Sequence, residues 1–514
     1  MFKRIALALT VLVGLPLTVD ALPESVGEAG VARQIATIDP LKLPYEPPQW
    51  RGIKILKPLS RDLWDRIKRS DYFEEIPEAN VIDRATPEGE LLRREPLVPA
   101  VLQLGFNSVE ASNLEPPDPH IAVGPSNLMA ATNSGLQVHS RTGTKVGALL
   151  GLRSFFSVPS NYNLVSDPKV MYDSTSGRFF AVLIGYSNSA SKGAWFFAVS
   201  TTNSASGTWR TFLVEQTRDL PDYPGWGICN DKVVTTANNF NFSIVSAPFT
   251  GSAVVVLNKS QLTSGASTIN LTKFNNVLLG NNTQAFTIQP AQSLSSTNTC
   301  HMIALRGTTQ VQLYRLTGVP TASSNAALAT GSAPTVAASS TPVDAAQLGS
   351  SRRVDTGDTR LLDATYRNGA LWTSHTTGCT FSGTAGTFTC ARLLKITGVD
   401  ATPAVSQDAR YGAANFYYSY PALRTDSNDN MGVVFTRVGS SEYTNLRFGG
   451  LRAGSSTYES SVAMVTGGAS YTGTRWGDYF GAAFDSTDNS LWFLGNYKRS
   501  SAFLWSTYAV KTKF

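Results

Sequence analysis

The sequence predicts an all-β protein, specifically a seven-bladed β-propeller of four-stranded antiparallel blades. The 514 residues include 42 Gly, 26 Pro and only 16% charged residues, a composition typical of short strands joined by tight turns. The chain is longer than one ordinary hydrophobic core can stabilise. A short element recurs along the chain, which favours repetition over several unrelated domains.

The recurring element is a short polar group, usually ending in Pro or an aromatic residue, placed before a strand of small and apolar residues. Seven copies spaced roughly 50 to 70 residues apart suit four-stranded blades with long loops. Turn signals such as Asn368-Gly369 place further strands within the units. The copies are, in chain order, residues 117–123, 166–172, 221–224, 288–291, 357–361, 418–422 and 476–480.

The propeller is predicted to occupy residues 98–514. Its last unit offers only three strands, at 479–484, 491–497 and 503–510. We expect a strand near 99–106 to supply the outer strand of the seventh blade, which would close the ring and remove an exposed edge.

Two segments precede the predicted propeller. Residues 1–21 have the basic start, apolar run and small-residue exit of a signal peptide, and the run is shorter than the roughly 20 residues of a spanning helix. We therefore expect secretion to the exterior, periplasm or cell surface, with no membrane span. Residues 22–97 form a charged, Pro-rich extension with a short helix at 61–70, and serve either as a propeptide or strap or as a partly ordered leader.

Four cysteines remain after export, where thiols tend to oxidise. Cys379 and Cys390 lie symmetrically about the turn at 382–386, which would place them opposite each other across a hairpin. A disulfide between them is predicted. Cys229 and Cys300 then form the remaining pair.

The charge pattern and the common motifs exclude several classes. The formal net charge of +6 is mild, and no basic run alternates with aromatic residues, so nucleic acid is not an expected partner. The four histidines lack close metal-ligand spacing. The chain has no nucleophile elbow, phosphate loop, CxxC pair or dinucleotide fingerprint. An enzyme is not excluded, because a propeller can assemble a site from scattered loops.

Three of the repeated elements carry a family resemblance: Pro116-Pro117-Asp118, Asp167-Pro168-Lys169 and Arg475-Trp476-Gly477-Asp478-Tyr479. With them, residues 100–514 resemble the secreted bacterial sialidase-like β-propeller proteins, a group mostly of unassigned activity. The resemblance implies fold and export. It does not imply sialidase activity, because the arginine triad and the Tyr–Glu nucleophile pair of sialidases have no counterparts here.

In a propeller, the residues just before the first strand of each blade gather at one mouth of the central channel. The repeats thus predict one ring of polar residues: Asp118, Asp167, Asp222, Tyr223, Gln289, Asp358, Arg360, Tyr420, Arg475, Asp478 and Tyr479. We assign Asp118, Asp167 and Asp358 to a metal site. The ligand-binding candidates are Asp222, Tyr223, Arg360, Tyr420, Arg475, Asp478, Tyr479 and His120.

Five converging carboxylates repel one another unless a cation or a nearby arginine offsets them. A Ca²⁺ site or a pocket for a polar ligand such as a sugar would do so, and calcium is the only cofactor that the sequence suggests. The alternative is that each Asp caps its own turn. The tyrosines suit stacking on a sugar ring or packing between blades, and His120 is a candidate general base.

These residues lead to three functional hypotheses. The first is a monomeric extracellular or cell-surface module that binds glycan or protein without catalysis. The second is a secreted carbohydrate-active enzyme, a glycosidase or polysaccharide lyase, with its site at the channel mouth. The third is a structural role in the cell envelope, with the charged extension as the attachment point.

Overall fold

The computed structural model describes residues 24–45, 81–82, 101–111, 114–242 and 247–514. Strands hold 59% of these residues and helices 3%, which confirms the all-β prediction. None of the helices within these ranges is long and apolar enough to cross a membrane. The predicted signal peptide (1–21) and the predicted helix (61–70) lie outside the described residues. The helical elements are a 3₁₀ turn at Pro40–Lys42, α1 (Leu152–Phe156) and α2 (Lys259–Ser264).

The N-terminal part contributes four strands: β1 (Glu24–Val26), β2 (Glu28–Ile38), β3 (Val81–Ile82) and β4 (Val101–Ala111). From residue 120 the strands form consecutive antiparallel groups. Group 1 is β5 (His120–Val123), β6 (Asn127–Thr132), β7 (Gly135–Ser140) and β8 (Lys145–Leu150). Group 2 is β9 (Leu164–Asp173), β10 (Arg178–Ser187), β11 (Lys192–Ser200) and β12 (Trp209–Thr217). Group 3 is β13 (Asp219–Ile228), β14 (Lys232–Asn241), β15 (Phe249–Asn258) and β16 (Thr268–Phe274).

The remaining groups continue this pattern. Group 4 is β17 (Gln289–Pro290), β19 (Cys300–Arg306), β20 (Gln310–Thr317) and β21 (Ala327–Thr330), with β18 (Gln292–Ser293) beside β13. A hairpin of β22 (Ala345–Gln347) and β23 (Ser350–Val354) follows. Group 5 is β24 (Leu361–Arg367), β25 (Ala370–Phe381), β26 (Thr384–Thr397) and β27 (Ala404–Gly412). Group 6 is β28 (Phe416–Thr425), β29 (Met431–Gly439), β30 (Glu442–Leu451) and β31 (Glu459–Val465). Group 7 is β32 (Gly481–Asp485), β33 (Ser490–Tyr497), β34 (Trp505–Lys513) and β4.

The first strands of the seven groups contact one another in chain order, and β32 of group 7 also contacts β5 of group 1. The contact is close at Gly481, where a Cβ would lie 2.6 Å from backbone atoms of His120 and Ile121. The hydrophobic core lies between neighbouring groups: one cluster joins Ile121 of group 1 to Trp492 of group 7. The groups therefore pack face to face, as stacked sheets do.

The N-terminal strands lie on the outer edges of these groups. The segment Glu24–Tyr45, here called the rim belt, pairs through β1 with β21 of group 4 and through β2 with β16 and then β12, of groups 3 and 2. It ends with a bridge from Tyr45 to Leu150 of group 1. The strand β3 pairs with β27, and β4 pairs with β34. Edge strands that would expose unpaired backbone groups are thus covered by the chain itself.

Both expected disulfides are present, Cys379–Cys390 and Cys229–Cys300. The second joins group 3 to group 4. The first differs in detail from the expectation, because Cys379 lies opposite Phe388 and Cys390 opposite Thr377. A bulge after Cys379 moves the two cysteines into diagonal positions, with their Cα atoms 6.0 Å apart.

Candidate functional site at the channel mouth

The backbone takes an unusual conformation where the first strands begin. Non-glycine residues there have a left-handed φ, which is sparsely populated and is associated with functional sites. The strands β13 and β28 also carry bulges at this level, and bulges redirect side chains. Four of these residues precede a proline. The left-handed residues are Asp118 (49°), Asp167 (55°), Tyr223 (53°), Thr287 (53°) and Tyr420 (56°).

The carboxylates of Asp118 and Asp167 bind backbone groups of the neighbouring strand groups. Asp118 Oδ1 accepts a hydrogen bond from the Asp478 N–H at 2.7 Å, and Asp167 Oδ2 accepts one from the Tyr223 N–H at 3.2 Å. Their other oxygens accept from the Asn133 amide and the Ser166 hydroxyl, both at 2.7 Å. These side chains therefore tie groups together instead of capping their own turns.

Burial raises the pKa of both carboxyls. For Asp118, the charges of Asp478 and then Asp167 raise it further, while Arg475 lowers it. For Asp167, the charge of Asp478 adds to burial, and the Ser166 hydroxyl opposes it. The mouth thus holds more carboxylates than its cations neutralise.

Each of the two arginines at the mouth is paired with an aspartate close to it in sequence. Arg360 Nε lies 2.9 Å from Asp358 Oδ1, and its Nη2 lies 2.7 Å from Oδ2. Its guanidinium also lies over the rings of Tyr223 and Phe286, 4.7 and 5.3 Å from their centroids. Arg475 forms an ion pair with Asp478. Both guanidinium groups are therefore already engaged with carboxylates.

Asp222 is the remaining carboxylate of the predicted ring. It is partly exposed and makes no hydrogen bond with the described residues. Burial raises its pKa to about 7; the charge of Asp167 adds to this, and Arg360 opposes it. A carboxyl with this pKa changes charge near neutral pH, as general acids and bases do.

The three tyrosines of the predicted ring make contacts inside the protein. Tyr223, Tyr420 and Tyr479 are buried. The Tyr420 hydroxyl donates to Asp355 Oδ2 at 3.1 Å, and the Tyr479 hydroxyl donates to the Pro168 carbonyl at 3.4 Å. Tyr223 and Tyr479 pack with Leu362 in one buried cluster, here called the tyrosine layer. This burial favours the packing alternative over stacking on a sugar.

His120 does not lie among the mouth carboxylates. Burial lowers its pKa, and the charges of Lys169 and Arg424 lower it further. Burial also lowers the pKa of Lys169 to about 8, against the attraction of Asp363 and of the mouth carboxylates. Arg424 pairs with Asp363 at 3.0 Å. His120, Lys169, Asp363 and Arg424 each lie two to five positions after a mouth residue in the chain. The three basic residues, His120, Lys169 and Arg424, are here called the basic cluster.

The predicted metal ligands are not arranged as one set. No group of three or more His, Cys, Asp or Glu residues among the described ones could hold a metal ion. Asp118 and Asp167 are electrostatic neighbours, whereas Asp358 directs both oxygens to Arg360. A calcium site at Asp118, Asp167 and Asp358 stays a prediction. Gln289, also in the ring, is buried and donates to the Leu361 carbonyl.

Several residues that build the mouth were not predicted. Asn133 connects Asp118 to the backbone N–H of Asp167. Glu115 accepts hydrogen bonds at 2.8 Å from the Thr474 N–H and the Tyr471 hydroxyl, and so fixes the loop that carries Arg475. The only available signal was local: Asn133 precedes the Ser-Gly of a hairpin turn, and Glu115 precedes the Pro-Pro-Asp element.

A separate groove lies on the outer rim, away from the mouth. Its volume is about 510 Å³, and β2, β12 and β16 line it with apolar residues such as Val31, Leu213 and Leu271. It forms where β2 leaves β12 to follow β16.

No family model matches the chain, and no curated protein matches it in sequence. Similar solved structures include the arabinanase Arb43A of Bacillus subtilis, with TM-score 0.32, 15% identity and coverage of 68% of this chain and 98% of that one. The α-L-arabinofuranosidase Arb93A of Fusarium graminearum has TM-score 0.35 and 9% identity, with 79% and 98% covered. The Trypanosoma rangeli sialidase has TM-score 0.32 and 9% identity, with 73% and 56% covered. TM-scores this low assign neither a family nor an activity.

Proposed function

We propose that this chain is an exported, sialidase-like seven-bladed β-propeller that binds an extracellular glycan, as a monomer, at its channel mouth. The seven groups of strands are the blades. The proposal is supported by the closed cycle of contacts among their first strands and by β4, which gives group 7 its fourth strand.

One observation carries the binding site. Asp222, Arg475 and Asp478 are partly exposed at the mouth and come from groups 3 and 7, while the tyrosines beneath them are buried. The surface offered to a ligand is therefore ionic and rich in hydrogen-bond acceptors. Sugar hydroxyls donate to such carboxylates, and Asp222 has no competing partner among the described residues.

Binding to a glycan array, followed by calorimetry with the best ligand, tests this proposal. Replacing Asp222 by Ala should weaken binding at least tenfold, because the acceptor for a sugar hydroxyl is lost. The matched control is Asp429→Asn, which alters a partly exposed aspartate of the β28–β29 loop. If no glycan binds, or if both variants bind like the parent, the mouth is not a glycan site. If the mouth binds a protein and no glycan, the ligand is the other partner that the sequence predicts.

A second candidate, a glycosidase or polysaccharide lyase, is favoured by the pKa of Asp222. Asp222 has a pKa of about 7, and the neighbouring Asp478 is ion-paired with Arg475. Two carboxyl groups in such different environments can act as an acid and a base. Asp222 would donate the proton, and Asp478 would be the second carboxyl group of the pair.

This candidate is tested with a panel of polysaccharides, by measuring new reducing ends and the ultraviolet absorbance of unsaturated products. Asp222→Asn and Asp478→Asn should each abolish cleavage while Asp429→Asn leaves it intact. Cleavage that survives in both mouth variants excludes this assignment. Binding without turnover leaves the binding module as the function.

A further inference from the structure

The basic cluster contains hydrogen-bond donors that have no acceptors. Lys169 is only 3% exposed, and its ammonium makes no hydrogen bond with any described residue. It instead lies 4.1 Å from the ring centroid of Tyr479 and 5.1 Å from that of Tyr223. A buried ammonium usually finds at least one oxygen acceptor.

His120 adds a second donor. The Val170 N–H donates to His120 Nδ1 at 3.4 Å, so the proton of the neutral imidazole is on Nε2. No described residue accepts a hydrogen bond from Nε2. His120 is partly exposed, so solvent reaches part of this residue.

Arg424 adds charge to the same place. Its Nε is buried without a partner, while its Nη1 lies 3.0 and 3.2 Å from the two oxygens of Asp363. Asp363 also accepts from the N–H groups of Ala364 and Leu423, at 2.9 and 3.1 Å. These contacts use the acceptor capacity of Asp363, so this carboxylate has none left for Lys169 or His120. Donors and positive charge therefore remain in excess.

We propose that this segment of the channel is a binding site for a small oxyanion, of the carboxylate, sulfate or phosphate class. Lys169 Nζ and His120 Nε2 donate to its oxygens, and Arg424 contributes charge from behind. The site is distinct from the proposed glycan site, because it shares none of the residues Asp222, Arg475 and Asp478. It needs no metal and no part of the mouth.

Calorimetric titration with sulfate, acetate and phosphate, at constant ionic strength set by chloride, tests this site. We expect one saturable site for sulfate. Lys169→Met should weaken binding at least tenfold, because the side chain keeps its length but loses its ammonium. Lys273→Met is the matched control, since Lys273 also lies over an aromatic ring, 5.4 Å from the centroid of Trp195, but on the rim. It should bind like the parent.

Crystals grown with selenate locate the anion directly by its anomalous signal, even if Lys169→Met does not fold. Selenate between Lys169 and His120 supports the site. Selenate only elsewhere, no saturable binding, or equal affinity in Lys169→Met overturns it. Asp222→Asn should retain sulfate binding, so failure of the glycan proposal and failure of this one are distinguishable.

Discussion

The two levels of the channel carry opposite charge, although the same strands supply both. Asp118 and Asp167 lie at the mouth, and His120 and Lys169 follow them by two residues. In groups 1 and 2, therefore, an acid of the mouth is followed by a base of the basic cluster along the chain, whereas the other five groups lack this order. A repeated element can therefore build two chemically different sites on one axis.

The tyrosine layer contacts cations of both levels. Tyr223 and Tyr479 are buried, both rings face the ammonium of Lys169, and the guanidinium of Arg360 also lies over Tyr223. Aromatic faces attract cations without offering an oxygen. Lys169 is thus held below the mouth, where the carboxylates attract it but do not bind it.

Removing the layer should have the largest effect on stability. Tyr479→Ala deletes a fully buried ring and should lower the free energy of unfolding by about 3–5 kcal/mol, measured by guanidinium denaturation. Tyr479→Phe keeps the ring and loses only a 3.4 Å hydrogen bond, so its cost should stay within about 1 kcal/mol. Similar, small costs for both variants would contradict the burial of the Tyr479 ring in the tyrosine layer.

The repeats in the sequence grouped these polar residues because each element combines a polar residue with the following strand; the role of the group as a site stays a prediction. Asp118, Asp167, Asp222 and Asp478 are electrostatic neighbours, although hundreds of residues separate some of them. The sequence did not distinguish the two levels. His120 was grouped with the mouth, because a shift of two residues along the channel has no signature in the local pattern.

The rim belt was also beyond sequence reasoning. Its residues read only as a charged, Pro-rich extension, whereas β2 pairs with two different groups and changes partner at Arg33. Such pairing depends on where the outer edges β12 and β16 lie, which is set by long-range packing and not by propensity. Ala32, buried in that pairing, carries no signal of its own.

Two glycines, one at each level, give a second and smaller test. A Cβ on Gly481 would lie 2.6 Å from the backbone of His120, whereas a Cβ on Gly477 would meet nothing closer than 3.8 Å. Gly481→Ala should therefore cost about 1–3 kcal/mol through overpacking, and Gly477→Ala should be within about 1 kcal/mol of the parent. Thermal unfolding measures both. A neutral Gly481→Ala would contradict the close contact between groups 7 and 1.

The pH dependence of stability gives an effect no larger than that of Gly481→Ala and tests the acid level alone. The pKa of Asp222 is about 7 in the folded chain and about 3.9 in an unfolded chain. The folded state therefore binds the proton more tightly, and the stability this contributes is present below about pH 4 and lost as the pH rises to about 7. Asp222→Asn mimics the protonated form and should keep that stability.

Urea denaturation should thus find Asp222→Asn more stable than the parent by about 1–3 kcal/mol at pH 8, a range reduced for the partial exposure of the carboxyl. At pH 4 the two should agree. Asp429→Asn should show no such pH-dependent difference. Parallel pH profiles for Asp222→Asn and the parent would mean that the mouth carboxylates do not share an excess of negative charge, and the contrast between the two levels would then rest on the basic cluster alone.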